Sequence, residues 1–316
     1  MRILAFFCIF GLSAQELTIK TSVPLILVPT SVTDRRGKGI GGLTEKDFEV
    51  FDNGKLVKHS LEISQLPIAL VVAVQTSSIA GPALAKVQKI GAMFEPLVVG
   101  DRGVLALLTY SDKVTVMQEF TSDGKLFSAT MRRLEPDGGG AKLNDAVLEA
   151  VKLLEDRQKY RRVVVVIGES KDRGSSAKLE QAVTKAQAAN VTIYPVTYSA
   201  YATPFTSKGD ERFESGRRVY DSGSGLNLLA IFSEIGRMGD KNSADAFAKY
   251  TGGERLSFTK LAGLEKVITK VGDDLHTQYL LSFSPQESSA PVYHQISLKV
   301  KAGGAVVRAR PGYWAE

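Results

Sequence analysis

Over the middle of the chain, fully apolar runs alternate with amphipathic stretches, while both flanks carry short strand-like patterns. The run Ile68-Ala69-Leu70-Val71-Val72-Ala73-Val74 closes abruptly in Gln75-Thr76-Ser77-Ser78-Ile79. A run apolar on every residue predicts a strand buried on both faces, and the polar closure places side chains at the carboxyl edge of a parallel sheet. Open α/β sheets bind their ligands at that edge. Pro82 in a first helical turn, followed by Leu84, Val87, Ile90 and Phe94, predicts a helix. Further strands are predicted at Val104 to Thr109, at Val114 to Gln118 as an edge, at Val163 to Ile167 and at Val191 to Val196. Helices carrying Leu143, Val147, Ala150 and Leu154, and then Leu179, Val183 and Ala186, separate them, with Asn190 as the second helix's stop. This alternation predicts an α/β fold with a doubly wound, mainly parallel sheet.

The flanks read differently. Leu25 to Val28 and Phe48 to Phe51 are strand-like, and Asn53-Gly54 after the second is a hairpin signal. A polar stretch from Ser199 to Gly225 predicts an excursion or lid, after which helical patterns resume at Leu228 to Ile235 and Ala244 to Tyr250. A last helix face carries Leu261, Leu264, Val267, Val271 and Leu275. Strands return at Tyr279 to Phe283, Ile296 to Val300 and Val306 to Ala309, before Pro311-Gly312-Tyr313-Trp314. Roughly 50 strand-like residues before the α/β region and about 40 after it amount to one immunoglobulin-sized sandwich. The expectation is a β-sandwich built from residues 17–66 and 276–316, with an α/β domain, residues 67–275, inserted in it.

Residues 1–14 read as a secretory signal: Arg2, then the apolar Ile3 to Leu12, then Ser13 and Ala14. Cleavage after Ala14 removes Cys8, the only cysteine, so disulfides and thiolate metal sites are excluded from the mature chain. The expected location is secreted or periplasmic, with no stable membrane insertion once the signal is cleaved. The net charge of +6 is dispersed in pairs such as Arg35-Arg36, Arg132-Arg133 and Arg217-Arg218, not concentrated in a stripe, which argues against nucleic acid as partner. Gly37, Gly39 and Gly42 fit a dinucleotide-binding spacing, but a strand-like segment and not a long helix follows, so they read as a turn between strands.

Several motifs carry a family resemblance. Gly42-Leu43-Thr44-Glu45-Lys46-Asp47-Phe48, Asp52-Asn53-Gly54-Lys55, Tyr250-Thr251-Gly252-Gly253, Gln278-Tyr279-Leu280-Leu281 and Val307-Arg308-Ala309-Arg310-Pro311-Gly312-Tyr313-Trp314 span nearly the whole mature chain. With the strand ending in Gln75, the chain resembles the von Willebrand factor type A domain, and within it the VWFA-related Acidobacterial group of exported proteins. That resemblance implies a metal-ion-dependent adhesion site built from an Asp-x-Ser-x-Ser turn, a Thr on a second loop and an Asp after the fourth strand. Matched residue by residue, Gln75 stands at the first Asp, Ser77 keeps the first Ser, Ile79 replaces the second Ser, Ala141 replaces the Thr and Glu169 replaces the last Asp, with Asp172 three residues on. Hard divalent cations need oxygen ligands and carboxylate charge. Ser77, Gln75 and Glu169 are what a magnesium ion would have to use, and the expectation is a degenerate site with no resident cofactor.

Gly168-Glu169-Ser170 begins like a nucleophile elbow, but Asp172 stands where its last glycine belongs, and His59, His276 and His294 all lie in or beside the expected sandwich. The functional expectation is therefore a non-enzymatic, exported interaction or adhesion module that binds an unidentified protein partner at the carboxyl edge. Gln75, Ser77, Ser78, Ala141, Asn144, Asp145, Glu169 and Asp172 are the candidate contact residues. The alternatives are metal-dependent ligand binding through the altered site, and a hydrolase or solute-binding protein using the same cleft.

Overall fold

The computed structural model describes residues 25–62, 66–198, 228–285 and 292–315. Before the central sheet come β1 (Ile26–Thr33), β2 (Phe48–Asp52), β3 (Lys55–Val57) and β4 (Ser60–Glu62). The central region runs β5 (Ile68–Gln75), α1 (Gly81–Val87), β6 (Val104–Tyr110), β7 (Val114–Thr121), α2 (Gly124–Arg132), α3 (Leu143–Leu154), β8 (Arg161–Gly168), α4 (Leu179–Ala188) and β9 (Val191–Thr197). It continues with α5 (Leu228–Thr251), β10 (Leu256–Ser257) and α6 (Leu261–Thr277). The chain returns to strands in β11 (Tyr279–Phe283), β12 (Val292–Val300), β13 (Val306–Arg308) and β14 (Gly312–Ala315).

The six-stranded sheet has the order β10-β9-β8-β5-β6-β7, with only β7 antiparallel. β5 lies at its centre, Val72 paired with Leu107 on one side and Val165 on the other. Side chains alternate across a strand, and the alternation divides β5 between two cores. Leu70, Val72 and Val74 pack with Leu84 and Val87 of α1, Phe127 and Met131 of α2, and Leu264 and Val271 of α6. Val71 and Ala73 pack on the opposite face with Val147 and Val151 of α3, Val183 of α4 and Phe247 of α5. Helices cover both faces, which is why β5 is apolar from Ile68 to Val74 and β8 from Val163 to Ile167.

The flanking strands interleave. β1 lies between β11 and β13, with β4 beyond β11, while β12 lies between β2 and β14, with β3 beyond β2. Ile26 faces Phe283 and Val50 faces Leu298, so strands from before the central sheet pair with strands from after it. Val28, Phe48, Val50, Leu281, Phe283, Ile296 and Tyr313 form one core shared by both antiparallel sheets. Asn53 and Gly54 both take positive φ, 49° and 78°, as the tight β2–β3 hairpin requires. Gly37 and Gly42 also take positive φ, in the connection between β1 and β2, and no long helix follows them.

A polar junction fastens the sandwich to the α/β layers. Arg308 Nη2 and Tyr194 Oη both donate to Asp274 Oδ2 at 2.6 Å, and Ser31 Oγ donates to Asp274 Oδ1 at 2.6 Å. Arg308 Nη1 also donates to the Gly252 carbonyl, and Arg310 reaches the Gln187 carbonyl and Asn190 Oδ1. Gly253 is glycine for space, and Gly252 for space and for its positive φ of 82°. A Cβ on Gly253 would lie 1.8 Å from the Ile193 carbonyl oxygen, and one on Gly252 would meet the Arg310 backbone nitrogen at 3.1 Å.

Four features depart from the sequence expectation. The first predicted helix ends at Val87 and gives way to short turns at Gly91–Met93 and Glu95–Val99, where a Cβ on Gly91 would press on Ser128 at 3.0 Å and Met131 at 3.2 Å. α2 has no counterpart in the expectation. β7 runs to Thr121 and not Gln118, with register shifts against β6. The two helical patterns after residue 228 join in α5 across a non-helical Asn242. The expected signal, residues 1–14, and the excursion from Ser199 to Gly225 lie outside the described residues. Among the described residues, no helix is long and apolar enough to cross a membrane.

Candidate functional site at the carboxyl edge of the parallel sheet

The central strand delivers Gln75, Thr76 and Ser77 to the carboxyl edge, all buried. The amide of Gln75 bridges two loops. Its Nε2 donates to Ser77 Oγ at 2.7 Å and to Glu169 Oε2 at 3.1 Å, while its Oε1 accepts from the Glu169 backbone N–H at 2.7 Å. Glu169 Oε2 also lies 2.7 Å from Arg173 Nη2, an ion pair whose approach is off the hydrogen-bond line. The Glu169 side chain is 10% exposed and that of Arg173 36%. Polar hydrogens from Gln75 and a guanidinium thus converge on the carboxylate that ends β8.

The remaining loops are tied in the same way. Ser78 donates to the Gly138 carbonyl from both its backbone N–H and its Oγ, and Asp137 N–H donates to the Thr76 carbonyl. Ala141 and Arg173 exchange both backbone hydrogen bonds, at 2.9 and 2.8 Å. Asp112, in the β6–β7 turn, accepts from the backbone N–H groups of Gly139 and Gly140. A Cβ on Gly138 would come 2.3 Å from the Asp112 carboxylate and one on Gly140 2.6 Å, so this loop must be glycine to receive it.

Asp145 and Asp172 form a reciprocal brace. Asp172 Oδ1 accepts from Asn144 N–H in the first turn of α3 and from Ser175 Oγ–H, while Asp145 accepts from Ser176 N–H and Ala177 N–H on the approach to α4. A carboxylate at a helix start satisfies N–H groups that have no partner within the helix. Asp145 serves a neighbouring loop in this way, and Asp172 serves α3.

Two phenols border Glu169. Tyr110 is buried, and its hydroxyl fills the space left by Gly168, where a Cβ would lie 2.0 Å from Tyr110 Oη and 2.8 Å from Gln75 Oε1. Burial, with the nearby Tyr198 and Glu169 adding to it, pushes the Tyr110 hydroxyl well above its ordinary range. Burial followed by Glu169 does the same to Tyr198. Both phenols therefore stay neutral at physiological pH, and neither contributes charge to the edge.

The structure brings Gln75, Ser77 and Glu169 together in one hydrogen-bonded group. Gln75, Ser77, Ala141 and Asn144 are buried, and the carboxylates of Asp145 and Asp172 accept from backbone N–H groups. Ser78 remains exposed, beside Ile79 at 41% exposure. Arg173, Asp112, Tyr110 and Tyr198 were not singled out from sequence. Only the Gly138-Gly139-Gly140 run hinted that something packs closely there. Among the described residues, no group of three or more His, Cys, Asp or Glu side chains is arranged to hold a metal ion.

Part of the chain is similar to a known family and to several solved structures. No curated protein matches the chain. Among solved structures, an aerotolerance-related membrane protein from Bacteroides fragilis is similar at 14% identity over 65% of this chain and 98% of its own, with a TM-score of 0.46. BatB from Bacteroides thetaiotaomicron is similar at 14% identity over 65% and 98%, with a TM-score of 0.43. Proximal thread matrix protein 1 from the mussel byssus, described with a zinc-occupied MIDAS motif, is similar at 13% identity over 70% of this chain and 49% of its own, with a TM-score of 0.45. The family model of the von Willebrand factor type A domain matches residues 70–212, beginning inside β5 and taking in each of the three loops described above. The chain carries a von Willebrand factor type A domain.

Proposed function

We propose that this protein is an exported, non-enzymatic interaction module of the VWFA-related Acidobacterial type, which binds a protein partner at the carboxyl edge of its parallel sheet without a divalent cation. The observation that carries this reading is the bridging amide of Gln75. A cation site needs lone pairs converging on a vacant centre, and its ligands must be oxygens. Here the Gln75 Nε2 hydrogens point at Ser77 and Glu169, the two side chains with oxygen to offer, and Arg173 lies on Glu169. Ala141 and Ile79 have no oxygen side chain to contribute. The residues present do not fit a magnesium-type ion.

The surface left to a partner consists of Ser78, Ile79, Asp137, Gly139, Lys171 and Ser176, all exposed along the three loops. An exposed isoleucine among small and charged residues suits an interface, where an apolar anchor is ringed by polar groups. Export rests on the signal-like residues 2–14. The test is capture of partners from the native exported proteome. Binding should persist in chelator and be lost with Ile79→Asp and Lys171→Glu. Capture abolished by chelator, or turnover of a small molecule by the purified protein, would overturn the reading. Calorimetric titration with magnesium and manganese should give no heat of binding.

A further inference from the structure

We propose that Arg173 is a built-in counter-cation: its guanidinium holds the Glu169 carboxylate in the charge-balanced state that a bound ion would otherwise have to provide. This rests on the reading that the edge works without metal. A carboxylate removed from water must be compensated or it becomes protonated. Glu169 is mostly buried, and its charged contact among the described residues is Arg173 at 2.7 Å. The other cations on these loops, Lys142 and Lys171, do not supply that compensation, and the loop anions have partners of their own. Asp172 is held by Asn144, Ser175 and its own loop, Asp145 by Ser176, Ala177 and a long 4.0 Å approach of Lys142, and Lys171 is exposed. Tyr110 and Tyr198 remain neutral.

The guanidinium is also delivered by a fixed backbone. Arg173 pairs in both directions with the backbone of Ala141, the residue matched to the family's threonine, so the loop that carries no ligand side chain there is also the strap that places the cation. Gln75 completes the arrangement, since its neutral amide adds hydrogen bonds to Glu169 and no second negative charge. Two carboxylates here would have needed more than one guanidinium.

A double-mutant cycle of Arg173→Met and Glu169→Gln, followed by urea unfolding, tests the charge role. Arg173→Met keeps the aliphatic stem, so a packing role alone would leave stability unchanged. The expected result is an unfolding constant raised about tenfold by Arg173→Met, below the effect of a fully buried pair because Arg173 is partly exposed, and largely restored by adding Glu169→Gln. Arg173→Lys should stay near wild type. Additive effects of the two substitutions, or an unperturbed Arg173→Met, would overturn the proposal. A second arm titrates manganese into Gln75→Asp/Ala141→Thr with and without Arg173→Met. Manganese should bind at least about tenfold more tightly when Arg173 is gone, and equal affinity would overturn the proposal. Manganese binding by the wild-type chain with the cycle still coupled would instead overturn the metal-free reading of the edge while leaving the ion pair standing.

Discussion

Asp274→Asn probes the junction that joins the sandwich to the α/β layers. The substitution is nearly isosteric, yet Asp274 faces donors only: Ser31 Oγ on one oxygen, Tyr194 Oη and Arg308 Nη2 on the other, each at 2.6 Å. An asparagine must turn its NH₂ toward one of these donors, whichever way it is flipped. The loss is a hydrogen bond to a charged group, about 1.5–3 kcal/mol, together with a part-buried guanidinium, its side chain 26% exposed, deprived of its carboxylate. Glu254 Oε2 lies 3.7 Å from Arg308 Nη2 and retains part of the compensation, which puts the expected cost near 3 kcal/mol, the low end for breaking a buried pair. In a chain of this size that corresponds to a fall in Tm of about 4–5 °C.

The acid limb supplies an independent check. Burial pushes the Asp274 carboxyl up, but Arg308, with Ser31 and Tyr194, outweighs it and holds the group below its ordinary value. A carboxyl depressed in the folded state contributes stability that is present above its unfolded pKa, about 3.9, and is lost as the pH falls through the folded one. Guanidinium unfolding followed by circular dichroism should therefore show a constant gap between wild type and Asp274→Asn from neutral pH to about pH 5, closing below about pH 4. A gap under about 1 kcal/mol at neutral pH, or one that does not narrow in acid, would refute the reasoning.

Other consequences follow from the same geometry. Gly168→Ala should destabilise by about 2 kcal/mol because its Cβ collides with Tyr110 Oη, whereas Tyr110→Phe should be near neutral and should relieve much of that cost in the double variant, read by urea midpoints. Asp112→Ala should cost about 1 kcal/mol and speed amide hydrogen exchange at Gly139 and Gly140 without moving protection in β5. A fragment of residues 67–275 should fold into the parallel sheet but with a midpoint well below the full chain, because Asp274 loses Ser31 and Arg308 and Arg161 loses Gln278. A fragment as stable as the full chain would remove the junction from the account.

The parts of the fold visible in the sequence are those whose burial repeats at short range. β5 and β9 are buried along their whole length and β8 from Val163 on, and α3, α4 and α6 bury residues three and four apart, so each declares itself within one window. α2 buries few large side chains, chiefly Phe127 and Met131, and carries an exposed Leu126, which blurs its apolar face. The same division holds at the candidate site. Gln75, Ser77 and Glu169 sit where strands end and could be placed by counting. Arg173 could not, because its partners Glu169 and Ala141 are set by loops that approach only in three dimensions. The junction was less accessible still, since Ser31 and Arg308 are 277 residues apart. The terminal Arg308-Ala309-Arg310-Pro311-Gly312-Tyr313 motif was read as a family mark, and the structure gives each part of it a physical task. Its arginines grip α6 and α4, Gly312 admits Tyr293 and the His294 carbonyl, and Tyr313 Oη donates to the buried Asp52.

The interleaved sandwich also sets an order of events in folding. β2 cannot gain β12, nor β1 gain β11 and β13, until the whole α/β region between them has been made, whereas the parallel sheet joins strands much closer in sequence. Closing the longer loop costs more chain entropy, so the sheet is positioned to form first and to hold the two flanks near each other. A chain emerging gradually during synthesis would thus carry β1, and the edge of β2 away from β3, unpaired until its last strands arrive. Those edges are open to pairing with another copy during that interval. The arrangement that gives the finished molecule its welded flanks makes slow emergence its most exposed moment.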